Sequence, residues 1–213
     1  MALEPENKDP TIIERKKTKF SRSNFLETFM IGKENLDRIF FKELKLPRPK
    51  YNLKIGSGTH AEQTGRMLMG IEKILIKEKP DIVLVYGDPN TALAGALSAS
   101  KLNIKIGHIE AGLRSYDRNM PEEINRILAD HCSNLLFTPT KKSKEILLGE
   151  GVSASKIFVT GNTIVDAVYQ NLKLAQEKSK ILKKLNLKKG KYFLLTIHRE
   201  EKEDKKQRLE GIL

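Results

Sequence analysis

Between residues 61 and 161 the apolar positions follow two different periods. Over 61–79, Met67, Leu68, Ile71, Ile74 and Leu75 recur at helical spacing and make one stripe, so a helix is expected that stops at Pro80. Four short apolar runs follow: DIVLVYG (81–87), IKIGHI (104–109), NLLFTP (134–139) and KIFVTG (156–161). DIVLVYG is apolar almost throughout, as expected of a parallel strand buried on both faces. The segments between the runs read as helices. Residues 91–101 are mostly small and let a helix lie close to a sheet. Pro121 suits a first helical position, and Glu122 and Glu123 behind it complement the helix dipole. Thr140 is placed to cap a helix that ends near Gly149 to Gly151. This βαβαβαβ succession with short connections predicts an α/β fold built on a doubly wound parallel sheet.

The flanks carry weaker patterns. Residues 36–46 (LDRIFFKELKL) predict a short helix ended by Pro47 and Pro49, and 51–56 (YNLKIG) a strand. Residues 163–187 predict one long, Lys-rich helix, and 191–197 (KYFLLTI) a new strand with His198 and Arg199 at its carboxyl end. A lone strand and helix bury no core of their own. The expected organisation is therefore a divergent segment over 1–35 and an α/β domain over 36–164. Residues 165–213 are expected to be a linking helix and the start of a second domain whose remainder is absent.

Composition narrows the setting. Cys132 is the sole cysteine of the 213 residues, so no disulfide forms within the chain, and a reducing cytoplasm is expected. No window approaches the apolar length of a membrane span, and residues 1–17 lack the apolar core of a secretory signal. The net charge of +12 sits at the ends: 12 Lys/Arg against 8 Asp/Glu over 1–50, 14 against 13 over 51–169, and 13 against 6 over 170–213. Solvated Lys-rich faces account for such an excess. Without aromatic stacking positions or a recognised motif, nucleic-acid binding is not expected.

Candidate chemistry gathers in the middle of the chain. Asp88 follows the first strand, Glu110 follows the second, and Glu122 opens the next helix. Ligands of open parallel sheets bind beyond the carboxyl ends of the strands, so these acids should surround one crevice. Each has a plainer role available: Asp88 could bond the N–H groups of its own turn, and Glu122 could serve only the helix dipole. His108 reads either as a satisfied core histidine or as a site residue. Residues 56–61 (GSGTHA) fit a short dinucleotide-binding fingerprint, but no acid follows in the right context, and a flexible loop is the preferred reading. His60, His108, His131, His198 and Cys132 lack metal-ligand spacing, so no metal is expected.

The segments GDPNTALAGALSA, HIEAGLRS, MPEEINR, VTGNTIVDAV and TIHRE, in this order, resemble the non-hydrolysing UDP-N-acetylglucosamine 2-epimerases over roughly residues 36–201. The resemblance implies two Rossmann-like domains of GT-B type with a site between them, in a cytoplasmic homodimer. It implies interconversion of UDP-GlcNAc and UDP-ManNAc by elimination and re-addition of UDP, without metal or other cofactor. It also assigns Asp88, Glu110, Glu122 and His198 to catalysis, with His198 and Arg199 on the diphosphate side. Nothing in residues 1–35 matches the family's GTRPE-like nucleotide loop, residues 31–35 read IGKEN where a GQH-like segment is usual, and Lys202 stands where Asn is usual. An incomplete epimerase is the expectation, with no epimerisation by the chain alone. An inactive remnant is the alternative, and a GT-B glycosyltransferase is disfavoured because the acid motifs match the epimerases.

Overall fold

The computed structural model describes Leu44 and residues 49–195. The expected helix at 36–46 lies, but for Leu44, outside the described residues. The chain divides into two compact units at Thr163/Ile164. The first unit carries α1 (His60–Glu78), β1 (Ile82–Tyr86), α2 (Asn90–Lys101), β2 (Lys105–Ile109), α3 (Pro121–Cys132), β3 (Leu135–Thr138), α4 (Lys141–Gly149) and β4 (Ile157–Val159). The strands are all parallel in the order β1-β2-β3-β4. The predicted α/β architecture is thus present, and the described strands form one direction of its winding.

The first helix is made locally. The Thr59 hydroxyl accepts from the Glu62 amide at 3.2 Å, an arrangement announced by the T-x-x-E spacing. At the other end, Lys79 turns left-handed with φ 47° and its N–H reaches the Leu75 carbonyl, before Pro80 stops the helix. Its buried side chains Met67, Ile71 and Leu75 share one core cluster with the small residues of α2. Those small residues have a second use: a Cβ at Gly95 would stand 3.0 Å from Val85, so α2 lies close on β1.

Three expectations are corrected, and one is refined. Residues 51–56 form no strand, because the Asn52 side chain accepts from the Lys54 amide at 2.8 Å and Lys54 takes a left-handed φ of 52°. Ile55 still enters the core, while Lys50 and Tyr51 bind Glu78 at the end of α1. The long helix is interrupted: α5 (Thr163–Lys178) is followed by a short α6 (Ile181–Lys184), and the Ser179 hydroxyl accepts from the Ile181 amide. Residues 191–195 are not a strand, and among the described residues no strand pairs with them. Finally, β1 is buried on one face only. Val83 and Val85 are covered, whereas Leu84 is 38% and Tyr86 46% exposed. Right-handed crossovers that add strands in one direction place their helices on the same side, which leaves the Leu84 side uncovered by α2 to α4.

Candidate active site

The parallel pairing brings two of the predicted acids to one edge. Tyr86 stands opposite Ile109, and the Gly87 amide donates to the Ile109 carbonyl at 3.0 Å, so Asp88 and Glu110 both leave the sheet at its carboxyl end. Gly87 has φ +64°, and a Cβ there would stand 3.4 Å from Glu110 Oε2, so the turn lies directly against the Glu110 carboxyl. Glu110 itself has φ 74°, a conformation that costs a side chain of this kind free energy and collects at functional sites. The amides of Glu110 and Ala111 both donate to the Phe137 carbonyl at 3.1 Å, which holds it there.

A cation that the sequence reading passed over completes the cluster. Arg126 lies one turn after Glu122 on α3, and its Nη2 stands 2.8 Å from Asp88 Oδ2. Its Nε donates to the Glu122 carbonyl at 3.1 Å and lies 3.6 Å from Glu123 Oε2. The adjacent Asn125 donates to the Asp88 carbonyl at 2.9 Å and to Asn90 Oδ1 at 3.0 Å, so α3 grips the Asp88 turn twice. Asp88 is therefore the partner of an arginine. The E-x-N-R spacing sets Arg126 near Glu122 and Glu123 on one helix face, but nothing in it points to Asp88.

Neighbouring carboxyls are driven apart. Burial, then the charge of Asp88, raises Glu110 above its ordinary 4.5, with His108 and Arg126 working against the rise. Glu123 goes the other way. Burial would raise it, but the Ser115 amide and hydroxyl, the Tyr116 amide and Arg126 outweigh burial and hold it below its ordinary 4.5. Glu123 is buried and fastens the loop between β2 and α3 at 2.8 to 3.0 Å. Within the PEE motif, the second acid is thus an anchor. The first, Glu122, is half-buried and faces an open cavity of about 310 Å³ with His60, Gln63, Pro89, Asn90 and Asn125. Asp88 and Glu110 stand beside that cavity and are not in its lining.

Behind the acids lies an ionic chain that runs from the buried His108 out to the exposed Glu150. His108 places Nδ1 2.6 Å from Asp130 Oδ1 and Nε2 2.8 Å from the Gly87 carbonyl oxygen. Asp130 Oδ2 accepts from the Gly112 amide at 3.1 Å and from Arg114 Nη1 at 2.7 Å. Arg114 in turn forks onto both oxygens of Glu150 at 2.7 Å. The GSGTHA segment supplies Gly56, Ser57 and His60 to the cavity, but it follows no strand, and Thr59 caps α1. Among the described residues no group of three His, Cys, Asp or Glu could hold a metal, and no helix is long and apolar enough to cross a membrane. His198 and Arg199 lie outside the described residues.

The sequence model of the family described as UDP-N-acetylglucosamine 2-epimerase matches residues 16–213. The chain belongs to that family. It is 62% identical over 182 residues to the UDP-N-acetylglucosamine 2-epimerase of Methanocaldococcus jannaschii, covering 84% of this chain and 50% of the relative. To the UDP-2,3-diacetamido-2,3-dideoxy-D-glucuronate 2-epimerase of Pseudomonas aeruginosa this family member is 48% identical, with 84% of this chain and 50% of the relative covered. Its structure resembles that of the M. jannaschii UDP-GlcNAc 2-epimerase solved with UDP-GlcNAc and UDP, with TM-score 0.73 over 83% of this chain and 49% of that one. It also resembles the UDP-N-acetylglucosamine 2-epimerase from Rickettsia bellii, at TM-score 0.74 and 35% identity over 81% of this chain and 46% of that one. The epimerase-family chain thus spans about half the length of the curated relatives it matches.

Proposed function

We propose that this chain carries the acid–base half of a UDP-GlcNAc 2-epimerase, with Asp88, Glu110 and Glu122 as the reacting carboxyls. The observation that carries the reading is the meeting of an arginine-held Asp88 and a Glu110 whose affinity for a proton is raised, at one sheet edge. The C2 hydrogen of the sugar is weakly acidic, so its removal must accompany departure of UDP from C1. The base takes the proton, the C–H electrons form a C1=C2 double bond, and the C1–O electron pair leaves with UDP. The intermediate is a 2-acetamidoglucal. A proton returned to the other face of C2, with re-addition of UDP at C1, gives UDP-ManNAc. Asp88, held by Arg126 at 2.8 Å, serves as the base. Glu110, raised above its ordinary 4.5 by burial and by the charge of Asp88, serves beside it as the acid. Glu122 borders the cavity in which the sugar would lie, and His198 with Arg199 would meet the diphosphate. The protein is read as cytoplasmic, and as a homodimer when completed by the remaining part of the fold; light scattering of the completed protein checks the latter.

Residues 36–201 joined to the first strand and second domain of the M. jannaschii relative test the chemistry. In D2O this chimera should incorporate deuterium at C2 of UDP-GlcNAc, and Asp88→Asn, Glu110→Gln and Glu122→Gln should each lower the rate by about 10²-fold or more without unfolding it. A folded chimera that turns over while all three substitutions leave the exchange unchanged would overturn the assignment.

A further inference from the structure

We infer that the cavity beside the acids holds a secondary amide, the acetamido group on C2 of the sugar, with His60 donating to its carbonyl oxygen and Asn125 accepting from its N–H. The inference deepens the reading above and rests on it for the identity of the sugar. A chain of side-chain amides fixes which polar atoms remain for a ligand. Asn125 Nδ2 donates to the Asp88 carbonyl at 2.9 Å and to Asn90 Oδ1 at 3.0 Å. Gln63 Nε2 donates to the Gly56 carbonyl at 3.2 Å, and Gln63 Oε1 accepts from Asn90 Nδ2 at 3.1 Å. A backbone carbonyl only accepts, so the amides at both ends of the chain have a single orientation. Asn90 between them must turn Oδ1 to Asn125 and Nδ2 to Gln63. The second hydrogen of Asn90 Nδ2 then meets His60 Nδ1 at 3.2 Å, and that nitrogen accepts it.

One donor and one acceptor are left over. His60, with Nδ1 accepting, keeps its ring hydrogen on Nε2. Asn125 has spent both amide hydrogens, and among the described residues nothing donates to its Oδ1. No buried side-chain nitrogen or oxygen of the described residues lacks a partner, so this oxygen is open to a ligand. Both residues line the cavity, together with the apolar Ile55, Met67 and Pro89. A secondary acetamide is the complement of that set: a carbonyl oxygen for His60, an N–H for Asn125 and a methyl for the apolar wall. A lone hydroxyl offers both polar functions at one atom and has no methyl, so it cannot meet residues of α1 and α3 and cover the wall at once. The placement also serves the reaction. The acetamido nitrogen is bonded to C2, the carbon that gives up its proton. Asn125 holds that nitrogen and, through the Asp88 carbonyl, the turn that bears the base. Asn90 is the positioning residue, because it ties Asn125 of α3 to His60 of α1.

The test reads binding by the full chain and not turnover, so it stands apart from the deuterium exchange of the chimera. The chain carrying 15N and 13C-methyl methionine, with Met67 assigned through Met67→Leu, is titrated with N-acetylglucosamine or with glucose to about 0.1 M. N-acetylglucosamine should shift the Met67 methyl and Asn125 side-chain amide signals and show an NOE between its acetyl methyl and the Met67 methyl. Glucose should do neither. His60→Leu, at an exposed position, should weaken N-acetylglucosamine about three- to tenfold, as expected for one lost hydrogen bond. His60→Gln, which can accept from Asn90 through its oxygen and donate through its nitrogen, should recover most of that loss. Equal shifts with glucose, no response to N-acetylglucosamine at that concentration, or a His60→Leu variant that binds as the parent does would each overturn the inference. Amide binding of the expected kind, beside a folded chimera whose exchange ignores the three acid substitutions, would leave the inference standing and remove the acid–base assignment instead.

Discussion

Glu110 joins three properties that rarely coincide in a residue with no functional role: a left-handed backbone, partial burial and a like-charged neighbour. Because the folded chain raises this carboxyl above 4.5, it binds the proton more tightly than the unfolded chain does. Stability therefore falls as pH rises through the interval between the unfolded and folded values. Glu110→Gln should accordingly melt higher than the parent at about pH 8 and equal it below about pH 4. Equal midpoints at both pH values would show that Glu110 is an ordinary solvated acid. Two residues on, Gly112 has φ +77°, and an added Cβ would come 2.4 Å from the Ser143 carbonyl oxygen. The backbone penalty alone is about 1–2 kcal/mol, and a backbone atom yields little, so Gly112→Ala should destabilise by more than about 2 kcal/mol in denaturant unfolding.

At the scale of elements, α1 shows how a local signal and a tertiary one combine. Thr59 and Pro80 bound it, and its stripe gives it one face to bury. Ile71 on that face is fully buried, while Met69 on the same helix is 59% exposed. Ile71→Ala should cost about 2–5 kcal/mol, and Met69→Ala no more than about 0.5 kcal/mol. Urea unfolding of the two variants separates them, and similar losses would mean that α1 does not pack as described. The α3 helix has a different task. Its Asn125, Arg126 and Asp130 face the site, so it acts as a clamp for the Asp88 turn and the loop after β2.

For the whole molecule, the cavity beside the acids sets a limit on binding. Among the described residues its lining has neither a Lys or Arg to meet a diphosphate nor a Phe, Tyr or Trp to stack on uracil. UDP added to this chain should therefore bind with a Kd of about a millimolar or weaker, little better than about −4 kcal/mol. Isothermal calorimetry checks this, and a micromolar value would place a nucleotide site among residues not considered above. The chain's excess of positive charge does not bear on this cavity, since residues 51–169 carry 14 cationic and 13 anionic side chains.

What the sequence determined by itself was the order of elements and the edge at which the acids stand. Period-3.6 and short apolar runs mark helices and strands locally, and parallel topology sends every strand's carboxyl end to the same side. Asp88 and Glu110 could therefore be placed together before any coordinate was known. The same local rules misread 51–56, where the Asn52 side chain captures a backbone amide, and 191–195, where a strand would need a partner. Tertiary structure alone decided which charges meet. Arg126 reaches Asp88 across 38 positions and Arg114 reaches Glu150 across 36, distances in sequence over which no periodicity informs. It also decided the exposed face of β1, because burial of Leu84 depends on what packs over the sheet and not on its own hydrophobicity. The partners of His108 belong to this second class. Only the folded chain brings Gly87 and Asp130 to its two ring nitrogens, from 21 and 22 positions away.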